Sequence, residues 1–543
     1  MTVFKTLLLL LPLVFQCLLS IHRLSVIRED WASATEGAAV VTVIGLADIA
    51  IYILWRCLIR PRFSILRDLP QPSSSGSLLF GHVGAVFSMP LGRQITEWMN
   101  NIPNDGLLFF RGVMGAEYLV VTGTEGLRDV LFSRAYDFEK TSAFRRYTRR
   151  FLAAGLVVQE GEAHKIRRKA VGPVFQPRNV DALKPLLCAK SQRLVQVLRQ
   201  ISDRESDVKD TTSTIDICDW STRFALDIAC TVGFGEDFGL VENREIQSIL
   251  RAYTTIFTGS KEKMKQYAWH NTAPVWLSRL FPHKLDKEMD EASRVIREIT
   301  VGAVRKRIDL IQAGEKAPQD FLTEVILSGK FDAQECADEL VILMAAAHES
   351  TAALLAMTIY RLCEHPDLQS ALRQELSSFD LRAGQDCSIP ESQYEKMTML
   401  NALLNEMMRL EPPLPITLRK TVRDTMVGGH PVRAGTYIVI SPYAMGRSRT
   451  IWGPSASKFN PYRWITSDIS ADDNLGSHHY GMLTFLKGSK GCTGERFAKA
   501  EMRRVIAALV AEFEWSSAQA HEPEQTGIVV VSKTLQVHGL NCQ

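Results

Sequence analysis

The stretch that most limits the fold is residues 333–363, a long run rich in Ala, Leu and Met. It reads as one long helix, and from about 90 to 380 the apolar spacing around it is mostly helical, as in residues 184–202. Short β-rich pieces interrupt the pattern at 107–121, 436–442 and 526–537. The expected fold is therefore mainly α with small β-sheets (α+β). Residues 68–77, DLPQPSSSGS, form a Pro/Ser/Gly hinge, and no repeat or second linker of that quality follows. Residues 78–543 are thus expected to be a single domain.

Ahead of the hinge, residues 1–67 carry two apolar segments, 6–21 and 38–55. Each falls short of the ~20 residues that span hydrocarbon, and Asp48 interrupts the second. Arg56, Arg60, Arg62 and Arg67 follow directly and mark that side as cytosolic. A lipid-membrane anchor of one or two segments is the expectation; the bland alternative is a buried core helix. Lys+Arg 63 against Asp+Glu 60 gives no global field for nucleic acid. The ten cysteines are scattered without CxxC spacing, which favours neither a zinc knuckle nor a disulfide framework.

Four short motifs carry chemistry, and each has a plain structural alternative. Residues 485–494 read FLKGSKGCTG, with Cys492 among glycines just before a helix-like stretch. A thiolate is a strong axial ligand for haem iron, and such a sulfur needs backbone N–H groups and a chain able to pass close under a flat macrocycle. Gly488 and Gly494 permit that approach, the helix N-terminus favours the thiolate, and Phe485 can shield it. Glu406 and Arg409 lie i, i+3 on one helix face flanked by Met and Leu, which argues for burial and a further partner such as Arg463. Within the long helix, Glu349, Ser350 and Thr351 stand in an apolar run. They either pass protons to bound oxygen or merely bond back to the preceding turn. His164 and Arg168, i, i+4, could grip carboxylates or belong to a solvated basic helix.

Jointly and in this order, the motifs resemble the cytochrome P-450 family of haem-thiolate monooxygenases, from about residue 66 to the end. Phe485, Gly488, Lys490, Cys492 and Gly494 are similar to the family's haem-binding signature, with Lys490 where Arg or His is usual. Lys490 is then a weaker contact for a haem propionate than a guanidinium fork. Glu406, Arg409 and Arg463 resemble its core-locking triad, and His164 and Arg168 its helix C motif, where the first residue is often Trp. Arg419 falls at another usual propionate contact. Residues 346–351 resemble the family's oxygen groove, with Ala347 replacing Gly and Ser350 replacing Thr; the serine keeps the hydroxyl but loses the methyl that fixes its rotamer.

The resemblance implies haem b (iron protoporphyrin IX) between the long helix and the cysteine-loop helix, with Cys492 as iron ligand. It implies insertion of one oxygen atom of O2 into a lipophilic small molecule. No flavin or dinucleotide motif is present, so electrons would come from NADPH through a separate NADPH–cytochrome P-450 reductase, with cytochrome b5 as a second possible donor. Lys165, Arg167 and Lys169 could help dock an acidic reductase face. The endoplasmic reticulum membrane, with the catalytic domain in the cytosol, is the implied location. Met344, Ala347, Ile416, Leu418, Ile528 and Val529 are expected to line an apolar substrate pocket. Two rivals stay open: a haem-thiolate isomerase or dehydratase without external electrons, and a non-catalytic haem-binding membrane protein.

Overall fold

The computed structural model describes residues 34–541 apart from 75, 207–213, 244–247, 319, 382–388, 466–479 and 519–535. The expected segment 6–21 and the pocket residues Ile528 and Val529 lie outside the described residues. The principal helices are α1 (Ala34–Leu54), α2 (Ser142–Leu152), α3 (Gly161–Val171), α4 (Lys184–Ser206), α5 (Ile217–Phe234) and α6 (Ser248–Phe257). They continue as α7 (Lys261–Thr272), α8 (Asp286–Gln312), α9 (Ala333–Glu364), α10 (Thr398–Leu410) and α11 (Glu495–Glu512).

The long apolar run is α9, a helix of 32 residues. Its start is fixed by a capping box: Asp332 accepts from the Glu335 N–H, and the Glu335 side chain accepts from the Asp332 N–H. Residues on nearly every face of α9 are buried, because α5, α8, α10 and α11 all pack against it. One core cluster joins α9 to α4, α10 and α11 through side chains such as Leu355, Leu403 and Val505. A second joins it to α5, α6 and α8 through Leu340, Phe234 and Ile296.

A third cluster lies under a five-stranded sheet. Its strands are β1 (Leu107–Arg111), β2 (Glu117–Val121), β3 (Phe138–Glu139), β5 (Thr417–Thr421) and β8 (Tyr437–Ile440), in the order β1-β2-β8-β5-β3. The expected piece at 107–121 is the hairpin β1–β2, and 436–442 supplies β8, paired parallel to β2 and antiparallel to β5. A smaller sheet pairs β4 (Thr214–Asp216), β10 (Gln536–Asn541) and β9 (Phe513–Ser517), and β6 (Thr425–Val427) pairs with β7 (His430–Val432). The protein is mostly helical with small sheets, as the sequence pattern requires.

Among the described residues, two helices are long and apolar enough to cross a membrane, and their burial separates them. Ala333–Glu364 contains α9 and is a core helix, 78% buried over its most apolar window. Thr42–Phe63 is only 6% buried and exposes Val43, Leu46, Ile49 and Leu54. One cysteine departs from the unpaired set: Cys188 in α4 is disulfide-bonded, while six others, Cys492 among them, are free.

Candidate active site

The loop before α11 folds around its own backbone. Gly491 N–H donates to Gly488 O (3.0 Å) and Cys492 N–H to Phe485 O (2.8 Å). Gly488 has φ 71°, and a Cβ there would meet Leu131 O at 2.0 Å, so glycine is required. Gly494 differs: nothing in the chain lies nearer than 3.9 Å to its virtual Cβ, and one of those neighbours is Cys492 Sγ. The fold itself therefore does not demand glycine at 494. Helix α11 begins at Glu495 with Gly494 as its N-cap. Cys492 keeps accessible surface although it lies deep in the protein, so its side chain opens on an internal cleft. Burial pushes its thiol up, while the Gly494 N–H and the Arg168 charge act in the opposite sense. Phe485 is partly buried against the core, with the Lys499 ammonium 5.6 Å above its ring.

On α3, Arg168 donates to Gly491 O at 2.5 Å and so holds the cysteine loop directly. His164, one turn earlier, is buried and meets Tyr136 OH at 3.2 Å through Nδ1. Burial, then Lys140 and Lys490, push its imidazole down to about 4, so it is neutral near pH 7. Of the pair His164 and Arg168, only the arginine is charged. In β5, Arg419 is buried and donates to Thr417 Oγ1 (2.7 Å) and Leu418 O (2.9 Å).

Lys490 stands otherwise than its sequence position suggests. Its ammonium donates to Glu160 and, at 2.7 Å, to Phe138 O. Glu160 also accepts from the Lys140 backbone N–H (2.8 Å) and ammonium (3.3 Å). Those two cations hold the Glu160 carboxyl down at about 2 against the opposing effect of burial, which is the largest single influence. Sequence reasoning missed Glu160 and Lys140. Glu160 lies two residues ahead of the charge-rich stretch E162-AHKIRR, and nothing in the sequence marks it as buried.

Charge does not balance here. Lys140, Lys490, Arg168, Arg419 and Arg145 are five cations, and Glu160 and Glu139 are two carboxylates, with Arg145 engaged by Glu139 at 3.4 Å. The net +3 in a buried setting is costly unless an anionic group completes it. Haem b presents two carboxylates at one edge, anions of the kind this cluster lacks. The donor set fits the group.

Behind this site, Glu406 and Arg409 are buried on α10, their side chains without accessible surface. Arg409 Nε and Nη2 donate to Glu406 at 2.8 and 2.6 Å, and Arg463 Nε adds a bond at 3.1 Å. Trp464 Nε1 (3.0 Å) and the Asn460 N–H (2.7 Å) also donate to Glu406. The remaining Arg409 protons reach Gly446 O, Ala456 O and Lys458 O. The structure brings these three residues together.

It separates the residues of α9. Ala346 is exposed and Ala347 and Ser350 half-exposed, on one face of a helix buried elsewhere. Ser350 Oγ donates to Ala346 O at 2.8 Å, the back-bond that needs no reaction to explain it. Glu349 is turned about 100° from Ser350. It lines a cavity of about 30 Å³ with Thr222, Thr254, Phe257, His348 and Ala352. Burial pushes its carboxyl up to about 8, so it is protonated near pH 7. Thr351 is buried. The expected chain Glu349–Ser350–Thr351 is thus not contiguous, because helical rotation sends neighbours to different sides. Met344 is also corrected: it is wholly buried, its sulfur facing Gly233 of α5, so it lines no substrate space. Ile416 and Leu418 are partly buried at the sheet edge.

The chain matches the cytochrome P450 family over residues 75–538. It is 33% identical to cytochrome P450 monooxygenase sphH of Aspergillus fumigatus over 470 residues, 85% of each chain. It is 32% identical to cytochrome P450 monooxygenase ptmK of Penicillium ochrochloron, covering 87% of this chain and 92% of that one. With cytochrome P450 monooxygenase FUM15 of Gibberella moniliformis the identity is 30%, over 86% and 85%. The protein belongs to the cytochrome P450 family. It is an oxidoreductase of the monooxygenase class, and its family works with haem iron and a redox partner.

Proposed function

We propose that this protein is a membrane-anchored haem-thiolate monooxygenase that hydroxylates, or similarly oxidises, a lipophilic small molecule, with haem b as cofactor and NADPH electrons from a separate reductase. The observation that carries this reading is the net positive cluster beside the free, accessible Cys492. Haem b, when bound, supplies an iron that activates O2 for insertion into a C–H bond. Cys492 Sγ is the iron ligand, with the Gly494 N–H stabilising its negative charge. Arg419 and Arg168 hold the porphyrin carboxylates. The Glu406, Arg409 and Arg463 network fixes the wall behind them.

Ala346 and Ala347 give α9 a shallow face where O2 and substrate fit, and Ser350 Oγ presents a hydroxyl on that face. Glu349, protonated near neutral pH, is a proton store on the far side of the helix. It reaches the Ser350 face through a side-chain swing or water, and Thr351 is buried. Ile416, Leu418 and Ala347 supply apolar lining for the substrate.

The exposed apolar surface of Thr42–Phe63, with Arg60 and Arg62 at its C-terminal end and Arg67 just beyond, supports an anchor in the endoplasmic reticulum membrane with the globule in the cytosol. Of the basic residues on α3, Lys165 and Lys169 are exposed and able to dock an acidic reductase face. Arg167 is not, because it is buried against Glu335 and Glu339 at 2.8 and 2.6 Å. A second reading, a haem-thiolate isomerase, draws on the back-bonded Ser350 and the turned-away Glu349.

The test is a reduced, CO-bound difference spectrum of wild type and Cys492→Ser, then turnover with and without NADPH and reductase. A thiolate band in wild type that Cys492→Ser abolishes is expected. A histidine-type Soret band sinks the assignment, and product formed without reductant moves the protein to the isomerase class.

A further inference from the structure

Lys490 occupies the position in the cysteine loop from which a cation would reach a porphyrin carboxylate, yet its protons are already committed. An ammonium has three donors. One goes to Glu160 and one to Phe138 O at 2.7 Å, and the face of Tyr136 lies 5.3 Å from Nζ. These contacts are shielded: side-chain exposure is 6% for Lys490 and 2% for Glu160. They reach three separate segments, namely the cysteine loop, β3 with the turn before it, and the entry to α3.

Glu160 sits at the N-cap position of α3 but makes no side-chain cap bond to the helix. Its carboxylate is aimed instead at Lys140 and Lys490. Arg419 and Arg168, by contrast, make no ion pair with a carboxylate among the described residues; their hydrogen-bond partners are a hydroxyl and backbone carbonyls.

We propose that Glu160 is a positioning residue: it withdraws Lys490 from the porphyrin carboxylates and uses it as a clasp between the Cys492 loop and the start of α3. Arg419 and Arg168 are then the cations left for the carboxylates. The clasp rests on the haem-thiolate reading above. Through it, the departure from Arg or His at 490 is matched by a partner rather than left as a weaker contact.

A double-mutant cycle on purified holoprotein tests it, with two readouts other than turnover: the rate of haem transfer to excess apomyoglobin, and the fraction of the reduced-CO band at the thiolate position. Glu160→Gln and Lys490→Met should each speed haem release at least tenfold and lower the thiolate fraction. The double variant should release haem no faster than the faster single, and Lys490→Arg, which keeps the charge, should stay within threefold of wild type. If Glu160→Gln does not fold, Glu160→Asp keeps the charge but shortens the reach, and should speed release in the same direction. A Glu160 variant that holds haem as tightly as wild type or tighter would show that freed Lys490 serves the carboxylates, and overturns the clasp. Independent, multiplying effects overturn it as well. A wild type without thiolate-ligated haem overturns the site reading and the clasp together, whereas a haem-loaded wild type with either adverse result sinks the clasp alone.

Discussion

Two buried charge clusters, around Glu406 and around Glu160, use the same residue types and reach different states. Glu406 accepts from five N–H donors, and both arginines beside it spend their other protons on carbonyls of the same segment. Its hydrogen bonds close within the chain, although two arginines share the one carboxylate. Around Glu160 the cations outnumber the carboxylates, and Arg419 has no carboxylate partner among the described residues. The first arrangement locks the fold, and the second awaits an anion. Burial alone does not tell structural charge from functional charge; whether each buried cation reaches a carboxylate of the chain does.

The comparison can be broken at its strongest point first. Glu406→Gln leaves Arg409 and Arg463 buried without a countercharge and should cost about 3–5 kcal/mol in chemical denaturation, with or without haem. A loss seen only in the haem-loaded protein would mean that Glu406 belongs to the open cluster instead. Arg419→Met should behave inversely. Haem release should rise at least tenfold, while the haem-free protein loses under about 1 kcal/mol or gains stability, because a buried unpaired cation is removed.

A third carboxyl sharpens the contrast. Glu349 on α9 makes no ion pair among the described residues, and burial pushes its carboxyl up to about 8 against the opposing charge of Lys263. An acid raised in the folded state is fully accommodated below its ordinary value of 4.5, and stability falls as pH rises from there through about 8. Glu349→Gln should flatten that fall and gain roughly 2 kcal/mol over wild type at pH 9 in thermal melts, the full shift being discounted for water in the cavity. Glu160 has the opposite sign. Its carboxyl is held at about 2, so the stability it contributes is present above its ordinary value of 4.5 and is lost as pH falls toward 2. Acid melts of Glu160→Gln should therefore lack a loss that wild type shows below about pH 4.5. The smallest effect is expected from Ser350→Ala, under about 0.5 kcal/mol in stability, since only a back-bond is lost. Its readout is product formed per NADPH consumed, which should drop if the hydroxyl carries protons; an unchanged ratio removes Ser350 from the relay.

Much of the scaffold was legible because its signals are local. The apolar run of α9, the β1–β2 hairpin and the i, i+3 pair Glu406–Arg409 all follow from spacing along a few turns or a few strand residues. So does the cysteine loop, where Gly488 is dictated by its own positive φ and the nearby Leu131 carbonyl. The same locality misled at residues 344–351. Chain neighbours there seemed a single constellation, but rotation of about 100° per residue sends Met344, Glu349 and Ser350 to different surroundings.

What the sequence determined by itself, then, is the set of elements, the proposed thiolate ligand Cys492 and the presence of a buried Glu–Arg pair. Only the tertiary structure decided that Lys490 meets Glu160, 330 residues away, that His164 is neutral, and that Arg419 makes no ion pair with a carboxylate among the described residues. Backbone periodicity is written in neighbouring residues, whereas the partner and protonation of a buried charge depend on which distant segments the core brings to it.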